Sequence, residues 1–120
     1  MKIAISSIGK DLNSAVDPRF GRARFFIVID TETGAFSAYD NTQNLNALQG
    51  AGIQSAKNVA ELGVQAVVSG NMGPKAFSTL FAAGIDIFTG ASGTVQNALD
   101  AFNDGTLHKS GSANVEGRWM

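Results

Sequence analysis

The 120-residue chain amounts to one compact domain, and its 44% hydrophobic and 16% charged residues give a globular composition, not a disordered one. The lack of cysteine excludes disulfides, thiolate zinc, Cys-ligated iron–sulfur clusters and a cysteine nucleophile, while the single histidine, His108, excludes a His-rich metal centre. A net charge of −1 argues against bulk nucleic-acid binding, and no apolar run approaches the ~18 residues of a membrane span. The opening residues MKIAIS lack the long apolar core of a signal peptide, so a soluble cytoplasmic domain is expected.

Residues 2–6 (KIAIS) alternate Ile3 and Ile5 with smaller residues, as a short strand does. Apolar periodicity then stops from residue 7 to residue 24. Connections above ~12 residues in compact domains are usually functional or disordered. Residues 25–30 (FFIVID) form a strong β run, and Thr31-Glu32-Thr33-Gly34 has turn chemistry before alternation resumes over residues 35–40. A hairpin is predicted, followed by a polar loop at residues 41–44. Helical spacing begins at Gly50, with Ile53, Ala56, Val59 and Ala60 on one face and Gly63 placed to end the helix. Residues 64–69 (VQAVVS) read as a buried strand and Gly70-Asn71-Met72-Gly73 as a turn. Pro74 then opens a helix carrying Phe77, Leu80 and Phe81 and closing at Gly84. Residues 85–88 (IDIF) give the next strand and residues 89–93 the next turn. A third helix carries Val95, Ala98, Leu99 and Phe102. The segments GVQAVVSG and GIDIFTG begin 21 residues apart and echo each other, which marks two adjacent β–α units. The strands at residues 2, 64 and 85 are expected to be parallel and central, with the hairpin adding an antiparallel strand. Residues 1–103 make one domain in this division. Residues 104–120, rich in Gly, Ser and Asn, make a flexible tail.

Charge is unevenly spread. Residues 1–24 hold five basic and two acidic residues, a local +3, whereas the remainder carries −4. A solvated basic loop and a local anion site both explain this. In an open α/β sheet, ligands collect outside the carboxyl ends of the parallel strands. Residues 6–24, 69–74 and 89–94 fall there. Two of these segments lead into helices, whose first-turn amides favour an anion. The candidate rim comprises Ser6, Ser7, Lys10, Arg19, Arg22 and Arg24, then Gly70, Asn71, Met72 and Gly73, then Gly90, Ser92, Gly93 and Thr94. Met72 admits two roles: a thioether for a soft metal, or a side chain packed over the sheet edge.

Catalysis finds less support. The strands supply Asp30, Asp40 and Asp86 without a paired arrangement, so metal-assisted hydrolysis lacks its carboxylates. Asp17 precedes Pro18 and reads as a turn former or an arginine partner. Ser6, Ser7, Ser69 and Ser92 have no nearby histidine to activate them. Gly70-x-x-Gly73 is not a dinucleotide fingerprint. No enzyme is expected.

The run Val16-Asp17-Pro18-Arg19-Phe20-Gly21-Arg22-Ala23, with Phe25-Phe26 and Asp30 behind it, resembles the entry motif of the dinitrogenase iron–molybdenum cofactor biosynthesis family. Gly50-Ala51-Gly52, Gly70-x-x-Gly73-Pro74-x-Ala76, Ala83-Gly84-Ile85, Gly93-Thr94-Val95 and Asn114-Val115-Glu116-Gly117 continue the likeness. It covers residues 1–103 in order, with a weaker echo in the tail. The resemblance implies a ribonuclease H-like three-layer α/β/α fold, a five-stranded mixed sheet with one antiparallel strand, and no nuclease activity. It further implies noncovalent carriage of an anionic metal–sulfur cluster containing molybdenum, in one branch a molybdenum–copper sulfide, and an unidentified protein partner for delivery or signalling. Some carriers of the family use a histidine ligand, and no rim segment here contains one. The alternatives are a phosphate- or nucleotide-binding module on the same rim and a partner-binding adaptor without a small ligand.

Overall fold

The computed structural model describes residues 1–42 and 50–114. Five strands and three helices follow one another: β1 (Lys2–Ser7), β2 (Phe25–Asp30), β3 (Phe36–Asp40), α1 (Ala51–Glu61), β4 (Ala66–Val68), α2 (Pro74–Ala82), β5 (Asp86–Phe88) and α3 (Val95–Asp104). They form one mixed sheet in the order β3-β2-β1-β4-β5. β1 pairs in parallel with β4, as β4 does with β5, and β2 runs antiparallel to both of its neighbours. A single strand therefore opposes the rest, as expected. One expectation is corrected: β5 lies at the edge and not the centre, because β2 takes the other side of β1. Backbone from beyond α3 lines that edge, where Ser110 N–H donates to the Ile87 carbonyl at 2.7 Å.

The alternation read in the sequence sorts the side chains into two cores. Ala4, Phe26, Val28, Val67 and Ile87 face Ala56 and Val59 of α1 and Ala76 and Leu80 of α2. Ile3, Ile5, Ile27, Ile29, Ala66 and Val68 face Val95, Ala98 and Leu99 of α3. Three layers result. Burying a Val, Leu or Ile side chain gains about 1.5–3 kcal/mol each, so these two faces dominate the favourable side of folding. The helices end where the glycines predict: Gly63 and Gly84 follow the last turns of α1 and α2 with φ of 75° and 76°. Pro74 opens α2, where its missing N–H costs nothing.

Residues 43 and 44 of the expected polar loop and residues 115–120 of the tail, with Val115, Glu116 and Gly117 of the last quoted motif, lie outside the described residues. Among the described residues, no helix is long and apolar enough to cross a membrane.

Candidate functional site

The long segment between β1 and β2 is ordered by contacts at both of its flanks. Val16 N–H donates to Gly93 O at 2.9 Å, Asp17 N–H to Ser6 O at 3.0 Å, and Asn71 N–H to Pro18 O at 2.8 Å. Phe20 N–H returns to Asn71 O at 3.3 Å, and Gly90 N–H reaches Gly70 O at 2.9 Å. The three segments assigned to the carboxyl ends of the strands thus form one continuous backbone rim. Gly70 permits the closest approach. A Cβ at that position would lie 2.8 Å from the Pro18 Cα, inside the contact limit.

The stretch Arg19-Phe20-Gly21-Arg22-Ala23-Arg24 folds as its residue types dictate. Phe20 (1% exposed) and Ala23 are buried in the core shared with α1 and α2, and the Phe20 ring packs 5.1 Å from that of Phe26. Arg19 and Arg24 are exposed, and Arg22 is half-buried. Apolar anchors therefore pin the loop while its guanidinium groups stay toward water. Inside the loop lies the Asp17 carboxylate, only 4% exposed. Its Oδ1 accepts from Arg19 N–H at 3.0 Å and its Oδ2 from Arg24 N–H at 3.4 Å, so one side chain ties both ends of the arginine stretch. Behind the loop, Asn41 Nδ2 donates to Ala23 O at 2.9 Å and Ser55 Oγ to Gly21 O at 2.8 Å. Asn41 N–H meets Arg24 O at 2.8 Å. The loop is a rigid platform. Within 4.0 Å neither Arg19 nor Arg24 has a carboxylate partner among the described residues.

Several rim candidates have other employment. Ser6 is buried, its hydroxyl donating to Asp17 O at 2.8 Å and lying within hydrogen-bond distance of the Ser69 hydroxyl at 3.0 Å. Ser7 is buried as well, donating to Gly9 O at 2.7 Å. Both belong to the scaffold of the loop. Met72 is 0% exposed and packs in the core with Phe20, Ala76 and Leu80. This corrects the reading of a thioether presented to a metal: the backbone of the turn stays on the rim while the side chain fills the interior. The N-terminus of α3 is also taken. Val95 N–H donates to Ser14 O and Gln96 N–H to Leu12 O, each at 2.8 Å, while Thr94 and Asn97 form a reciprocal capping box. Those amides have acceptors within the protein and leave little for an anion at Gly93 and Thr94. Gly90, Ser92 and Gly93 are exposed, with the two glycines at φ of 85° and 79°. Lys10 stands with its ammonium 5.6 Å from the centre of the Phe25 ring, a cation–π contact beside the arginine stretch. Asn71 is half-buried and Gly73 buried at the start of α2.

Sequence reasoning offered Asp17 as an arginine partner but missed Asn41, Ser55 and Asn114. Asn41 follows β3, Ser55 is a polar residue within the helical pattern of α1, and Asn114 joins the Gly70–Gly73 turn from far down the chain. Among the described residues, no three His, Cys, Asp or Glu side chains group as a metal site would require.

A three-layer α/β/α domain with a basic, pre-ordered rim is the class that these observations define. Residues 1–105 match the family described as dinitrogenase iron-molybdenum cofactor, and the chain belongs to that family. It is similar to the apo orange protein of Desulfovibrio gigas, at 38% identity and a TM-score of 0.92 over 95% of this chain and 96% of that one. A Thermotoga protein solved by NMR as a candidate NifB protein is 40% identical, with a TM-score of 0.84 over 97% and 98% of the two chains. An uncharacterised protein of Methanocaldococcus jannaschii is 30% identical over 91% of this chain and 95% of its own length.

Proposed function

We propose that the protein binds and carries an anionic metal–sulfur cluster containing molybdenum, held noncovalently on the rim and not converted there. One observation carries the reading: exposed Arg19 and Arg24 are mounted on a loop whose backbone is fixed by Asp17, Asn41 and Ser55 beside the Gly70–Gly73 turn. A backbone already held in place leaves only the arginine side chains to be ordered on capturing an anion, and charge-assisted contacts are the stronger hydrogen bonds. A chain without cysteine suits a cargo that brings its own sulfide, molybdenum–copper sulfide among them. Membership of an iron–molybdenum cofactor family and likeness to the orange protein support that class of cargo. The strand order, with its one opposed strand, goes with a ribonuclease H-like assignment whose carboxylate chemistry is not used here. A cytoplasmic carrier of this kind has a protein partner that receives the cargo.

The test is a titration of the purified protein with tetrathiomolybdate, with and without copper(I), followed by visible absorption and equilibrium dialysis. Wild type is expected to retain the chromophore. Arg19→Glu and Arg24→Glu are expected to bind roughly ten- to a hundredfold more weakly, from charge-assisted contacts of about 1.5–3 kcal/mol. Binding should also weaken as salt screens the arginines. Equal retention by wild type and the double variant would remove the arginines from the site. A thermal shift with nucleotide or phosphate but none with thiomolybdate would favour the phosphate-binding alternative.

A further inference from the structure

Beyond α3, residues 105–114 stay on the domain. Thr106 N–H caps the helix through Ala101 O at 3.0 Å, and Leu107 packs on the α3-side core. Lys109 bridges to Phe88 along the outer edge of β5 and sets its ammonium 3.2 Å from Asp86. The Ser110 hydroxyl meets that of Thr89 at 2.8 Å. The strap reaches the rim at Asn114. There Asn114 N–H donates to Met72 O at 3.1 Å while its Oδ1 accepts from Met72 N–H at 2.7 Å, so one residue satisfies both backbone groups of Met72. Its Nδ2 donates to Asn71 Oδ1 at 3.2 Å and toward Gly70 O at 3.5 Å.

The same turn meets the arginine loop on its other side. Asn71 N–H binds Pro18 O and Asn71 O accepts from Phe20 N–H, the two residues that flank Arg19. Asn114 is therefore two hydrogen-bonded steps from the residues on either side of Arg19. We infer that Asn114 is a positioning residue of the cluster site: it latches the strap onto the Gly70–Gly73 turn, and the turn in turn holds Arg19 in its binding position. This rests on the carriage reading above and assigns the site its regulation. Coupling between strap and cargo is reciprocal, so whatever weakens the latch weakens cargo binding by the same factor that cargo strengthens the latch. A partner that took hold of the strap would loosen the cargo without touching it.

The experiment compares wild type, Asn114→Ala, Asn114→Asp and Lys109→Ala in tetrathiomolybdate affinity and in amide hydrogen exchange. Asn114→Ala is expected to bind at least about fivefold more weakly, the low end of usual coupling, with a lowered melting temperature from the stranded Met72 N–H and faster exchange at that amide. It is compared with wild type at a temperature where both are fully folded. Asn114→Asp keeps the Oδ1 acceptor and should retain Met72 protection, yet bind more weakly through its lost donor and added negative charge. Lys109→Ala cuts only the ion pair with Asp86 and should bind as wild type does. Thiomolybdate should slow exchange at residues 111–114 of wild type. Wild-type affinity in Asn114→Ala overturns the inference while leaving the carriage reading intact. Failure of wild type to bind thiomolybdate overturns that reading, and this coupling with it. Should Asn114→Ala fail to fold, Asn114→Gln, which retains the amide on a longer stem, replaces it with the same expected outcomes.

Discussion

Asp17 is a negative charge set beneath a loop of arginines that is proposed to attract anions. Its charge works against the rim at long range, and its geometry works for it, because backbone amides at both ends of the loop converge on its two oxygens. Removing the side chain leaves the amides of Arg19 and Arg24 facing a space that water reaches poorly. Asp17→Ala is expected to destabilise the domain by about 1–3 kcal/mol, the usual cost of stranding buried partners, as read from urea denaturation. Asp17→Asn, which retains a carbonyl oxygen, should fall between that variant and wild type. Equal stability of all three proteins would mean that the loop is held by Phe20, Asn41 and Ser55 alone. The arginines stood out in the sequence as a basic cluster in an aperiodic stretch, which a solvated loop and an anion site explain equally well. Asp17 was legible as a turn former or an arginine partner, but not as the acceptor of two arginine backbone amides, because Arg24 is seven residues away and no local pattern announces it. Met72 was left between two roles for the opposite reason. Its neighbours are turn residues, and nothing in a Gly-Asn-Met-Gly stretch shows that the side chain swings back into the core.

Among the elements, the β–α units were the easiest to read, because glycines mark both their ends and apolar spacing marks the helices. The contact between the arginine loop and the β4–α2 turn was hidden, since it joins positions more than fifty residues apart through backbone atoms that every residue type possesses. Gly70 is the one residue type that betrays it. Gly70→Ala places a methyl group against the Pro18 backbone, and the two segments must separate. An overpacking cost of about 1–3 kcal/mol is expected, together with weaker thiomolybdate binding, because the displaced segment carries Arg19. A crystal structure or the chemical shifts of Pro18 and Asn71 would show the separation. In the β2–β3 hairpin, the Glu32 and Thr33 amides hold the Asp30 carboxyl below its ordinary value of 3.8. The Thr42 hydroxyl and amide do the same for Asp40. Depressed carboxylates contribute stability above the unfolded-state pKa and lose it as pH falls through the lower folded values. Melting temperature is therefore expected to fall on acidification below about pH 4, and to fall less in the Asp30→Asn/Asp40→Asn double variant than in wild type. Parallel melting curves for the two proteins would contradict this.

At the scale of the molecule, the lopsided charge of the sequence becomes a spatial arrangement. Four of the five basic residues among the first 24, Lys10, Arg19, Arg22 and Arg24, belong to the segment after β1 that folds over the carboxyl ends of β1, β4 and β5. Lys2 stands at the other end of β1, and most acidic residues fall elsewhere in the chain. The two ends of the described chain are equally unequal in position. Met1 is held at the hairpin turn, where its carbonyl accepts from Thr31 N–H at 2.8 Å, at the start of β1. Asn114 is fastened at the opposite end of the sheet, beyond the carboxyl ends of the strands. The six residues of β1 alone separate these places by about 20 Å at a strand's usual rise. An affinity tag or fluorescent fusion placed before Met1 would therefore leave the rim open to solvent. The same fusion joined directly at Asn114 would be tethered next to the Gly70–Gly73 turn, where its bulk and charge would enter any binding measurement. The choice of which end to label decides whether an assay reports on this protein or on its attachment.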